Sequence, residues 1–263
     1  MKIATLWLGD KLPRISLVAL NSWIEQGHNV DLYSDREINN LPDGVTIKDA
    51  NSVLPLSILD KLKPLIKTEY SPWQEIVSYS DLFRMRLMEK GLGIWLDTDI
   101  VLFRPFEPDP DKAWFALDGH RTIGVSALFF PSCDPIVTDF LKVLDCPNLI
   151  PNWLGFKRGV IKPMIFKLAM KPFSVTDLGI TVFGNQALTK LVKQSGRLIE
   201  ASPSEVFYLH TGKLTERFFD PKFHDEFQAS SKVIGFHVHR KASSFKEPIE
   251  GSIYHTLVTR YGV

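Results

Sequence analysis

Residues 80–106, SDLFRMRLMEKGLGIWLDTDIVLFRPF, restrict the possible fold more than any other stretch of this chain. Positions 81–90 are rich in strong helix formers and apolar around much of the circumference, as in a helix packed on several sides. Gly91 and Gly93 follow a lysine in the last turn and end that helix. Ile94-Trp95-Leu96 reads as a short buried strand leading straight into Asp97-Thr98-Asp99, and a second apolar run over 100–103 continues to Arg104-Pro105. On extended backbone, carboxylates at i and i+2 point the same way. At the end of a buried strand they form a concentrated negative site, and like charges in low dielectric raise each other's pKa. A divalent cation removes that conflict, and hard oxygen ligands suit Mg²⁺ or Mn²⁺. The alternative is a solvated turn between two strands, although turns seldom sit between runs such as IWL and IVLF.

The rest of the chain supplies a frame for such a site. Residues 2–8 read as a buried strand, 12–26 as a helix closed by Gly27, and 30–33 as a second strand ending at Ser34-Asp35-Arg36. This order opens a parallel α/β sheet. No G-x-G-x-x-G is present, so the dinucleotide fingerprint is absent. Residues 37–72 are loop-rich, punctuated by Pro42, Pro55, Pro64 and Pro72, with a short helix near 57–67. Further strands are expected over 113–117, 127–130 and 206–209. Further helices are expected from the Asp134-Pro135 start to about 144, and from 185 to about 193. His120 and Arg121 fall in a loop, His120 as a surface residue. The 263 residues fit one large domain.

A net charge of +1 gives no reason to expect nucleic acid as a partner. No run of 18 apolar residues suggests a membrane span, and the N-terminus enters a strand pattern without a signal peptide. The two cysteines, Cys133 and Cys146, make no disulfide framework, so a reduced, cytoplasmic setting is expected. Residues 146–176 stand apart: Lys157, Arg158, Lys162, Lys167 and Lys171 occur there with no acidic residue and many large apolar ones, among them Trp153, Phe156, Ile161, Met164, Ile165 and Phe166. Gly159 and Pro163 argue against one long helix. Such an insertion is either a covering loop with solvated lysines or a surface lying on an anionic bilayer, at the inner face of the cytoplasmic membrane.

The 80–106 segment resembles the S-D-x-x-R-x-x-x-L-x-x-x-G-G-x-Y-x-D-x-D segment of glycosyltransferases with the DXD sugar-binding region, a group that includes bacterial and fungal α-glycosyltransferases and the clostridial glucosylating toxins. Leu92-Gly93 replaces the usual Gly-Gly, and Trp95 the usual Tyr. The resemblance implies a GT-A-type α/β fold with a mixed, mainly parallel sheet flanked by helices. It also implies a nucleotide-sugar donor (UDP favoured over GDP), a glycan or lipid-linked acceptor, and retention of configuration. Asp97 and Asp99 would hold Mn²⁺ or Mg²⁺, with Thr98 between them at the donor. Asp81 and Arg84, at i and i+3, would hold donor-sugar hydroxyls; otherwise they are a local ion pair. Trp7-Leu8-Gly9 matches a W-x-G element that contacts the base, and Trp7 can stack on it or simply belong to the core.

In the same family a glycine-containing loop lies near the sugar and acceptor. Here that loop is Phe183-Gly184-Asn185-Gln186, so Gln186 is a candidate, although Asn185 and Gln186 equally suit a helix start. Residues 237–245 resemble the family's H-x-W-x-x-S-W element, with His239 and Phe245 where Trp is usual. His237 would then complete the metal shell, or else be a core histidine bonded to backbone. Lys241 and Ser244 would contact the diphosphate. Two other classes compete: a metal-dependent nucleotidyl- or phosphoryltransferase, and a non-catalytic nucleotide-sugar-binding module.

Overall fold

The computed structural model describes residues 1–66, 71–119, 122–146, 148–179, 181–239 and 247–263. In chain order the strands are β1 (Ile3–Trp7), β2 (Val30–Ser34), β3 (Val45–Asp49), β4 (Ile94–Leu96), β5 (Ile100–Leu102), β6 (Ala127–Leu128) and β7 (Gly235–His237). The helices used below are α1 (Arg14–Glu25), α2 (Ile58–Leu62), α3 (Ser71–Glu89), α4 (Pro135–Leu141), α5 (Lys162–Leu168) and α6 (Asn185–Gln194). The chain divides into two compact units, Met1–Asp49 with Leu92–Phe129 and Ala201–Val263, and Ala50–Gly91 with Phe130–Glu200.

The first unit holds a five-stranded sheet in the order β3-β2-β1-β4-β6. β1 pairs in parallel with β2 and β4, β2 in parallel with β3, and β6 runs antiparallel to β4. The fold is therefore α/β with a mixed, mainly parallel sheet; the strand–helix–strand opening implied the parallel part, and the family resemblance the mixed one. β3 lies in the stretch expected to be loop. It is an edge strand whose residues are mostly exposed, and its apolar alternation is only two residues long, Val45 and Ile47.

β5 leaves that sheet and pairs with β7 in a second, two-stranded one. Helix α1 fixes β5 in place: the Trp23 indole donates to Ile100 O at 2.7 Å, and Ser22 Oγ accepts from Leu102 N at 2.9 Å. Edge-to-face rings of Phe106, Trp114 and Phe207, with centroids 4.7–5.4 Å apart, fill the core beneath. The strand expected over 113–117 is reduced to isolated bridges. The one expected over 206–209 is replaced by a 3₁₀ turn, Ser204–Val206, and a loop. The carbonyls of Val206 and Phe207 nevertheless accept from Ile234 N and His237 N, so this loop still carries β7.

Gly93 sets the entry to β4. Its φ is +141°, and a Cβ there would lie 2.6 Å from Lys2 O, the carbonyl that accepts from Ile94 N at 2.9 Å. Both the dihedral and the contact exclude a side chain. Gly93→Ala is expected to cost on the order of 2 kcal/mol, read as a lowered urea midpoint; an unchanged midpoint would show that the β1–β4 junction yields freely.

The second unit is built on α3, which buries Tyr79, Leu82, Phe83 and Met88. Its described part runs from Ser71 to Glu89, with Trp73, Ile76 and Val77 exposed near the start. Trp153 stacks on Phe140 with centroids 5.0 Å apart and donates to Val182 O at 2.8 Å. Asp134 caps α4 as expected, accepting from Ile136 N at 2.9 Å.

The stretch with Gly159 and Pro163 corrects an expectation: it is helical without a break from Phe156 to Leu168. Residues Lys157–Ile161 form a π-helical turn in which Lys162 N donates to Lys157 O. The wider turn accommodates a proline that would break a regular α-helix.

Candidate metal centre

Within the first unit Asp97, Asp99 and His237 come together, with ligand atoms all within 4.8 Å of one another. β4 ends at Leu96, and Asp97 N donates to Ser126 O at 2.7 Å. Asp97 O then accepts from Ile100 N at 2.9 Å, closing a turn over Asp97-Thr98-Asp99. The two carboxylates are thus presented by a turn, not by extended chain as the i, i+2 argument assumed. The flanking apolar runs do not exclude it because β4 and β5 belong to different sheets. Nor is the turn solvated: Thr98 at its centre is buried. His237 lies opposite Ile100 in the β5–β7 ladder, and Val238 N donates to Asp99 O at 2.9 Å, so this pairing fixes the third group beside the second.

The side chains around these groups set their orientation. Trp95 Nε1 donates to Asp97 Oδ1 at 2.7 Å, from a ring buried in the sheet. His237 Nε2 lies 3.4 Å from Asp99 Oδ1 and 3.2 Å from Ser126 Oγ. The Tyr208 ring meets the His237 ring edge to face at 5.7 Å, and its phenol oxygen accepts from Ser126 N at 3.2 Å. Burial first, and the Asp97 charge second, hold the Tyr208 phenol well above its ordinary pKa, so it stays protonated and adds no negative charge. Gly124 makes room for that ring, since a Cβ there would run into the phenol tip.

The donor set is two carboxylates and one imidazole, with Asp99 and His237 only 14% and 19% exposed. Oxygen donors with one nitrogen fit Mn²⁺ and admit Mg²⁺, and Trp95 and Ser126 serve as the outer partners that orient such ligands. His239 lies just beyond β7 with its ring 6.1 Å from that of His237.

The remaining candidates are distributed through both units. In the first, Gly9 follows β1 and its N–H donates to Asp35 Oδ1 at 3.0 Å, while Trp7 is half-buried. Burial raises the Asp35 pKa, but Arg36 and the Gly9 N–H outweigh it and hold the carboxyl below its ordinary value. In the second unit Asp81 and Arg84 form a buried ion pair of 3.2 Å, and Arg84 Nε also donates to Ser80 O at 3.2 Å. Gly184, ahead of α6, packs against Asp81; a Cβ there would lie 3.1 Å from its carboxylate. The sequence separates these two residues widely, and the fold brings them together. Gln186 is exposed, with Oε1 accepting from Arg158 Nη1 at 3.1 Å. Lys241, Ser244, Phe245, His120 and Arg121 lie outside the described residues.

Sequence reading missed Ser126, Tyr208 and Gly124, which carry no motif. It also missed the role of Trp95, for which the spacing of two from Asp97 along a strand was an available signal.

No protein-family model and no curated protein matches this chain. Among solved structures it is similar to "PaToxG Glycosyltransferase" at 13% identity and a TM-score of 0.46, over 76% of this chain and 72% of that one.

Proposed function

We propose that this chain is a metal-dependent glycosyltransferase, transferring a sugar from a nucleoside-diphosphate sugar, UDP-linked by preference, to a hydroxyl of a glycan or lipid-linked acceptor in cell-surface polysaccharide synthesis. The observation that carries this reading is the meeting of Asp97, Asp99 and His237 at the ends of β4, β5 and β7. The DTD sequence and its resemblance to the DXD segment support it. Mn²⁺ or Mg²⁺ held there would neutralise charge on the departing nucleoside diphosphate.

The chain's own groups then have distinct tasks. Trp95 and Ser126 hold Asp97 and His237 in place, and Tyr208 stays neutral behind them. Trp7 and Gly9 are assigned to the base, Thr98, Lys241 and Ser244 to the donor phosphates, and Asp81, Arg84 and Gln186 to the sugar side. No carboxylate identifies itself as a nucleophile, so retention by front-face attack is the reading favoured. Both units are taken as one glycosyltransferase domain working in the cytoplasm.

The test is product analysis with UDP- and GDP-sugars and Mn²⁺. Release of nucleoside diphosphate with sugar transfer, abolished by chelation and restored by Mn²⁺, is expected. Pyrophosphate release would make the protein a nucleotidyltransferase. Binding without turnover would make it a nucleotide-sugar-binding module, and full turnover in excess EDTA would remove the metal.

A further inference from the structure

The helical run from Phe156 to Leu168 departs from the usual amphipathic arrangement. Two of its four cations point inward: Arg158 donates through Nε and Nη2 to Leu178 O at 3.1 and 2.9 Å, and Lys162 donates to Asp177 O at 2.9 Å. Five of its apolar side chains point outward. Phe156, Val160, Met164 and Leu168 recur every fourth position and are 70%, 50%, 51% and 75% exposed, with Ile165 beside them at 56%. Met170, just past the helix, is 92% exposed and sits at φ +49°, a conformation a methionine rarely adopts. A ridge of this kind is not how a helix face normally meets water.

Along the segment itself the charges have one sign. Lys157, Lys167 and Lys171 are exposed, and no acidic residue occurs between Asp145 and Asp177. Asp177 itself is engaged, accepting from Leu65 N, Ile66 N and Ser174 N. Asp139, in the cleft beside Phe156 and Val160, is paired with Lys142 at 2.6 Å and leaves no net negative charge there. An apolar ridge with a net positive border is complementary to a surface that is hydrocarbon below and anionic above.

We propose that this helix docks the protein on an anionic lipid bilayer, lying flat with Phe156, Val160, Met164, Ile165 and Leu168 in the headgroup boundary and the three exposed lysines at the lipid phosphates. Two expectations from sequence change accordingly. Arg158 and Lys162 are not docking charges, because they bond backbone carbonyls of their own unit. Trp153 is not a membrane residue, because it is buried. The inference stands apart from the metal centre, since docking requires neither donor nor ion.

The experiment is co-sedimentation of the full chain with phosphatidylcholine vesicles, with and without phosphatidylglycerol. Binding is expected only with phosphatidylglycerol and should weaken at high salt. Replacing Lys157, Lys167 and Lys171 with Glu should lower partitioning by about a hundredfold or more. Phe156→Ser with Leu168→Ser should also abolish it, both sets leaving the melting temperature unchanged because the sites are exposed. Equal binding to neutral vesicles, no binding, or charge-reversed protein that binds like wild type would each overturn the proposal. Self-association lost in the serine variant, without vesicle binding, would overturn it too and make the ridge a contact between copies of the chain.

Discussion

Asp99→Asn is expected to leave the protein folded while lowering donor turnover about a thousandfold, the consequence of losing several kcal/mol of metal-based stabilisation of the leaving group. The substitution keeps the backbone carbonyl that accepts from Val238 N, so the β5–β7 junction survives. It removes one charged donor from a set of three whose ligand atoms lie within 4.8 Å of one another. Two readouts check it together: the rate of nucleoside diphosphate release, and the rise in melting temperature on adding Mn²⁺, which in wild type follows from mass action. The variant should lose both. A variant that keeps the Mn²⁺-dependent shift but not turnover would place the ion elsewhere; one that keeps turnover would sink the metal assignment.

The second large effect is expected at Asp81. Its side chain and that of Arg84 are only 4% and 5% exposed, and breaking a buried ion pair from one side costs about 3–5 kcal/mol. Arg84 keeps its contacts with Ser80, which places Asp81→Asn toward the lower end of that range. The urea midpoint should fall accordingly. If the pair also holds sugar hydroxyls, the folded variant should bind UDP-sugar roughly ten- to a hundredfold more weakly, the equivalent of one charged hydrogen bond, yet bind free UDP as wild type does. Equal weakening for both ligands would leave the pair with a structural role alone.

Much of this was readable in the chain because the signals were local. The strand–helix–strand opening, the Asp134 cap and the Gly91–Gly93 helix stop each depend on a few adjacent residues whose conformational preferences agree with the fold. Elsewhere, tertiary context decided. The DTD turn was obscured because IWL and IVLF look like one continuous core strand, and nothing local says that they enter different sheets. β3 was hidden by its edge position. Pro163 misled because a π-turn, not a break, absorbs it. At the candidate metal centre, the aspartates and His237 were legible as motif residues, whereas Ser126, Tyr208 and Gly124 act by close packing from distant positions, which no spacing rule encodes.

The Trp95 indole, buried in β4 and bonded to Asp97, has one further consequence. A carboxylate next to an indole N–H shifts the energy of the ring's excited state, and an ion drawing on that same carboxylate would shift it again. Trp95 should therefore serve as a built-in optical gauge of the centre: the emission difference between wild type and Trp95→Phe would change with Mn²⁺ concentration, at the affinity of the site and without any substrate present.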